Sequence, residues 1–237
     1  MKIFAVYGNG GGGKSTVSGI IARHCAEKGL KTIIMSCDVS CPMMPIWLPQ
    51  EKISEEDSLG KALITKDMSI DVIAKRVQIY KPQQNIGFLA YTAEDSFIDF
   101  ALDFQRVIEA IKMTRNICDV LIIDCASSLS DITVPAAIEM ADQTICVLSP
   151  DLKGVSYYRS NLRLLSAEKF GIQNQIKILN GTKKYHAVKE ISDAINGAHY
   201  AFPFNPDIEN AMLCGELVNT LRFCGKEYKE FLNNLDV

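Results

Sequence analysis

Apolar and polar positions along the chain alternate between two regimes. Short runs of Val, Ile, Leu, Met and Phe are separated by longer segments in which apolar residues recur every three or four positions. The runs predict strands at 2–7, 31–36, 86–90, 119–124, 143–148 and 175–180, with a short one near 199–202. Several, such as Val120-Leu121-Ile122-Ile123, are continuous rather than alternating, as expected for strands covered on both faces of a parallel sheet. The periodic segments predict helices at 14–28, 97–115, 131–141, 155–170, 186–195, 206–214 and 219–234. Gly29 and Gly171 stand where helix C-caps belong. The segment 41–85 fits neither regime. It carries Pro42, Pro45 and Pro49 and the acidic run Glu55-Glu56-Asp57, and predicts loops with two short helices. Regular strand–helix alternation predicts an α/β fold: a single doubly wound, mostly parallel sheet with helices on both faces, spanning 1–237 as one domain.

The most specific chemistry lies between the first strand and the first helix. Residues 8–16 read Gly-Asn-Gly-Gly-Gly-Gly-Lys-Ser-Thr. They match the P-loop pattern, with Gly8, Gly13, Lys14 and Ser15 at its fixed positions. Glycines at 8, 10, 11, 12 and 13 let the backbone turn its N–H groups inward as a nest for phosphate. The following helix presents its positive end there. Lys14 is expected to reach the β- and γ-phosphates, Ser15 to ligate Mg²⁺, and Thr16 to meet the α-phosphate. Asp124 closes the strand 119–124, in the position of a Mg²⁺-supporting carboxylate. Asp38 follows the second strand at the same sheet edge. There it can orient the attacking water or accept a Mg²⁺-bound one. Asn180, at the end of the strand 175–180, offers donor and acceptor groups to a purine edge. The segment Phe202–Asp207, with a helix opening at Pro206, can wall a base.

Composition narrows the classes. A formal net charge of −3 argues against a globally basic nucleic-acid binder. Apolar runs of about six residues are far short of a membrane span. The chain enters a strand at once, without a signal-peptide pattern, so the cytoplasm is the expected compartment. The eight cysteines form no CxxC pair and read as reduced, mostly structural thiols.

Together these segments resemble the ParA/MinD family of P-loop ATPases, the deviant Walker A group. The resemblance rests on Gly8–Thr16, the Asp38 loop, and Asp124-Cys125-Ala126-Ser127-Ser128. It extends through Ala141–Asp151, Asn180, and the stretch from Pro203 to Val218 with Pro206, Ala211 and Gly215. It implies ATP/ADP as ligand, Mg²⁺ as cofactor, Lys14, Asp38 and Asp124 as catalytic residues, and Ser15, Asp38 and Asp124 around the metal. Nucleotide contacts would come from Gly8, Asn9, Gly10, Gly11, Gly12, Gly13, Lys14, Ser15 and Thr16, with Asn180 and Pro206 at the base. It further implies a homodimer that binds a protein partner of an assembly or partition machine, DNA or membrane. Lys153, Arg159, Arg163, Lys183 and Lys184 are the candidate DNA patch. The C-terminal Lys226–Leu235 is amphipathic, but its near-zero charge favours packing over membrane anchoring.

Departures from the family pattern carry their own expectations. The signature lysine of the loop's second position is Asn9, the carboxylate two residues before Asp38 is Ser36, and the switch glycine is Ser128. Loss of that cation predicts ATP binding with weak or altered turnover. The wording around Leu148–Asp151 is similar to the TadZ/CpaE branch, which localises pilus-assembly machinery. Two readings stand: a slow ATPase whose cycle drives dimerisation and positioning, and a nucleotide-holding scaffold that barely hydrolyses.

Overall fold

The computed structural model describes residues 1–49, 53–96, 102–167, 170, 174–217 and 225–237. Eight strands form one sheet in the order β3-β4-β2-β5-β1-β6-β7-β8. They are β1 (Lys2–Tyr7), β2 (Thr32–Ser36), β3 (Gln78–Ile79), β4 (Ile86–Ala90), β5 (Val120–Asp124), β6 (Gln143–Leu148), β7 (Gln175–Thr182) and β8 (Tyr200–Pro203). All neighbours are parallel except β3, which pairs antiparallel with β4 at one edge. The helices are α1 (Lys14–Glu27), α2 (Met44–Trp47), α3 (Leu59–Ile64), α4 (Ile70–Ala74), α5 (Phe104–Arg115), α6 (Thr133–Met140), α7 (Leu152–Leu165), α8 (Val188–Ala194), α9 (Pro206–Leu213) and α10 (Lys226–Asn233).

β2, β4 and β5 are buried at every position, which explains their unbroken apolar runs. Successive residues of β1 serve opposite faces, as the period of a strand requires. Ile3, Ala5 and Tyr7 join a core with α5, α6 and α7, while Phe4 and Val6 join one with α1, α2, α9 and α10. In the second core Trp47 stacks on Phe88 at 4.7 Å, and Phe202 stacks on Tyr228 at 4.0 Å. Gly29 ends α1 at φ +84°, its N–H bonded to Ala26 and that of Leu30 to Cys25, as expected of a left-handed cap.

Several boundaries differ from expectation. Among its described residues the segment 41–85 holds three short helices, a 3-10 turn at Glu55–Asp57 and the edge strand β3, rather than two helices. α7 starts at Leu152, not 155, because Asp151 caps it by accepting the N–H groups of Lys153 and Gly154. β7 continues past Asn180 to Thr182 through a register shift. Gly171, and the starts expected at 97 and 219 for helices now seen as α5 and α10, lie outside the described residues.

This order places β1 between β5 and β6, so the loops after β1, β2, β5, β6 and β7 meet at one end of the sheet. Ligands of open parallel sheets bind at such carboxyl ends.

Candidate functional site

The loop after β1 takes its shape from the end of β6. Gly8 (φ +153°) and Gly13 (φ +93°) occupy backbone regions that favour glycine. A Cβ on Gly8 would stand 1.8 Å from the Val147 carbonyl oxygen, and one on Gly13 2.1 Å from Nδ2 of Asn180. Side chains at these positions would drive the loop off β6 and Asn180. Gly12 donates its N–H to the Asn9 carbonyl at 3.1 Å, closing the turn.

At the first turn of α1 the side chains converge on β5. Ser15 donates its hydroxyl to Oδ2 of Asp124 at 2.7 Å, and Ser18 donates to Oδ1 at 3.3 Å. Ser36 donates to Oδ2 at 3.5 Å from the neighbouring strand. Lys14 donates its Nζ to the Ser127 hydroxyl at 2.8 Å. Asp124 is 2% exposed, and burial pushes its carboxyl up to about 6 against the opposing pull of Ser15 and Lys14. A buried carboxylate in that condition is suited to a cation. Two hard oxygen donors, Asp124 and Ser15, side by side fit Mg²⁺, which is typically held by one or two protein groups together with phosphate and water. No cluster of three or more His, Cys, Asp or Glu side chains able to hold a metal occurs among the described residues.

Lys14, Ser15, Asp124 and Ser127 line a cavity of about 410 Å³ with Gly10, Gly11, Thr16, Asp38 and Cys41. Asp38 is half-buried, and its Oδ1 accepts the N–H groups of Ser40 and Cys41 at 3.0 and 3.1 Å. Cys41 is exposed there, whereas Cys37 and Cys125 are buried thiols, both pushed up by desolvation.

A second cavity, about 520 Å³, shares Gly11, Gly13 and Thr16 with the first and extends past Asn180 to Tyr185, Phe204 and Asn205. Asn180 donates Nδ2 to the Gly12 carbonyl at 3.0 Å, leaving its Oδ1 as the group available to a ligand. Pro206 opens α9 beneath Asn205, which caps that helix by accepting the Asp207 N–H. The Lys183 ammonium lies 4.7 Å from the Phe204 ring centroid, a cation–π contact at the mouth. Tyr185 is 76% exposed beside it.

Thus Lys14, Ser15, Thr16, Asp38 and Asp124 share one cavity, and Asn180 stands at its junction with the second. Sequence reasoning missed Ser18 and Tyr185. Ser18 could have been found, because Ser15 and Ser18 are three apart on one helix face. Tyr185 sits in a loop with no periodicity to mark it.

A family model described as AAA domain (AAA_31) matches residues 1–178. An uncharacterised ATP-binding protein of Methanocaldococcus jannaschii is 26% identical over 150 residues, 63% of this chain and 53% of that protein. The chain therefore spans about half the length of this curated relative. A ParA family ATPase from Chlorobium tepidum superposes with a TM-score of 0.80 at 18% identity, covering 99% of both chains. The septum site-determining protein MinD of Pyrococcus horikoshii, complexed with Mg-ADP, superposes with a TM-score of 0.73 at 19% identity, covering 97% of this chain and 92% of that one. Likeness at such identities is one of fold.

Proposed function

The chain belongs to the AAA_31 family of AAA domains and has the ParA/MinD fold, and on that premise we propose that it is a slow, Mg²⁺-dependent ATPase. Its nucleotide state would control self-association and the positioning of a partner inside the cytoplasm. One observation carries the reading: Lys14, Ser15, Asp38 and Asp124 line a single cavity behind a glycine cradle.

The chain's own groups suggest the division of labour. Loop N–H groups and the start of α1 bind phosphate oxygens, and Lys14 leaves Ser127 to meet them. Ser15 and Asp124 hold Mg²⁺, which when bound neutralises charge on the transferred phosphoryl group. Asp38, from the loop after the neighbouring strand β2, orients the attacking water. Asn180 and the Tyr185–Phe204 mouth receive the adenine. Asn9 supplies no cation to the developing charge, which supports slow turnover. A scaffold that holds ATP or ADP with little hydrolysis is the alternative, and Asn9 is the residue that favours it.

By likeness to ParA and MinD proteins, the partner would belong to a partition machine or a pilus or secretion assembly, and the acting form would be a homodimer. Among the described residues no helix is long and apolar enough to cross a membrane. The test is sedimentation with ADP and with ATP plus Mg²⁺, beside phosphate release on the same sample. An ATP-dependent dimer that releases phosphate is the expected result. A mass insensitive to nucleotide, with no release, selects the scaffold.

A further inference from the structure

Asn9 stands between two glycines, yet it is only 6% exposed. Its side chain is fully engaged within its own chain. Oδ1 accepts the Ser149 N–H at 3.0 Å, and Nδ2 donates to the Ser149 hydroxyl and the Gly10 carbonyl, each at 3.0 Å. Ser149 passes the connection on, donating its hydroxyl to Oδ1 of Asp151 at 2.7 Å. That same carboxylate oxygen accepts the Lys153 and Gly154 N–H groups at 2.9 Å, capping α7. A continuous hydrogen-bonded strut therefore runs from the phosphate loop to the first turn of α7.

The packing along this strut has no slack. A Cβ on Gly12 would come within 2.9 Å of the Val147 carbonyl, and one on Gly154 within 2.2 Å of the Ser149 carbonyl. Displacement of the loop must move the β6–α7 turn with it. Leu152, the first residue of α7, is 83% exposed at the far end.

We propose that Asn9 is a positioning residue: it holds the phosphate loop against the β6–α7 turn and couples phosphate occupancy to the first turn of α7. A loop this rich in glycine loses much conformational freedom on ordering. A side-chain tie that orders it in advance favours phosphate binding without adding charge. The inference rests on the nucleotide reading above and deepens it.

The experiment measures Mg-ADP affinity with a fluorescent ADP, and amide hydrogen exchange at Lys153 and Gly154 with and without Mg-ADP. It compares the wild type with Asn9→Ala, Ser149→Ala and the double variant. In the wild type, Mg-ADP should slow exchange at both amides. Asn9→Ala should weaken affinity about tenfold, the equivalent of one to two hydrogen bonds. It should also abolish the nucleotide-dependent slowing, which a purely structural role would leave intact. The double variant should be no weaker than Asn9→Ala, because both changes cut one strut. Ser149→Ala removes only the hydroxyl arm and keeps the test alive if Asn9→Ala does not fold. Nucleotide-dependent slowing that survives in the variants, or losses that simply add, would overturn the inference. A wild type that binds Mg-ADP without any response in α7 overturns this inference alone, and one that binds no Mg-ADP overturns the nucleotide reading with it.

Discussion

The two ends of the cleft are built on opposite plans. At the phosphate end the groups are tied to one another and carried by a strand end, the first turn of α1 and the loop after β1: Asp124 with Ser15 and Ser18, Lys14 on Ser127, glycines against Val147. At the base end they are exposed and carried by loops, with Tyr185 76% and Phe204 40% accessible. The first plan fixes chemistry, because a displaced oxygen or cation forfeits charge stabilisation. The second leaves recognition to apolar contact, which tolerates movement. Affinity should therefore be concentrated at the phosphate end and discrimination at the base end.

The sharpest way to break this contrast is Lys14→Ala. Removing two charge-assisted hydrogen bonds to phosphate should weaken nucleotide binding about 100-fold or more, read by titration calorimetry. Tight binding by that variant would sink the phosphate-loop assignment.

Asp124→Asn comes next and acts in two directions. With Mg²⁺ and ATP, phosphate release should fall about 100-fold, because the metal loses its buried carboxylate. Without ligands the same variant should be more stable at neutral pH. Burial pushes the wild-type carboxyl up to about 6, above its ordinary range, so the native state binds this proton more tightly than the unfolded chain does. That contribution to stability is complete below about pH 4 and is lost as pH rises through 6. It amounts to about 3 kcal/mol at most. Thermal melts of both proteins should diverge across that window, and parallel melts would deny that Asp124 is strained in the free protein.

The smallest effect belongs to the base end. Tyr185→Ala should weaken ADP binding about threefold, in line with one lost aromatic contact, and leave tripolyphosphate binding unchanged. Equal losses for both ligands would place Tyr185 outside base recognition and erase the contrast.

The same contrast governs what the sequence discloses. Residues 8–16 are legible because their conformation is written in consecutive glycines, and Asp124 because it ends an unmistakably buried run. The parallel sheet follows from such runs. Asp151 was harder to see. The expected helix began at 155, yet α7 already includes Gly154, where a Cβ would stand 2.2 Å from the Ser149 carbonyl oxygen. The base end gives no contiguous signal, since Asn180 in β7 and Tyr185 and Phe204 in two separate loops line one cavity only in the folded chain. In the segment 41–85, elements of four to six residues are too short for periodicity to declare itself.

The place of β1 at the middle of the sheet also dictates when the molecule can come into being. Its partners begin at Val120 on one side and Gln143 on the other. A ribosome delivers the loop after β1 well before the strands that flank it. Until β5 and β6 have been made, the first strand carries two unsatisfied edges and an apolar surface on both faces. Contacts so distant along the chain make for slow folding and for nascent chains that need shelter from one another. On the nucleotide reading proposed above, ADP or ATP would reward folding only once β6 has emerged, as a stamp on the finished sheet rather than a nucleus for it.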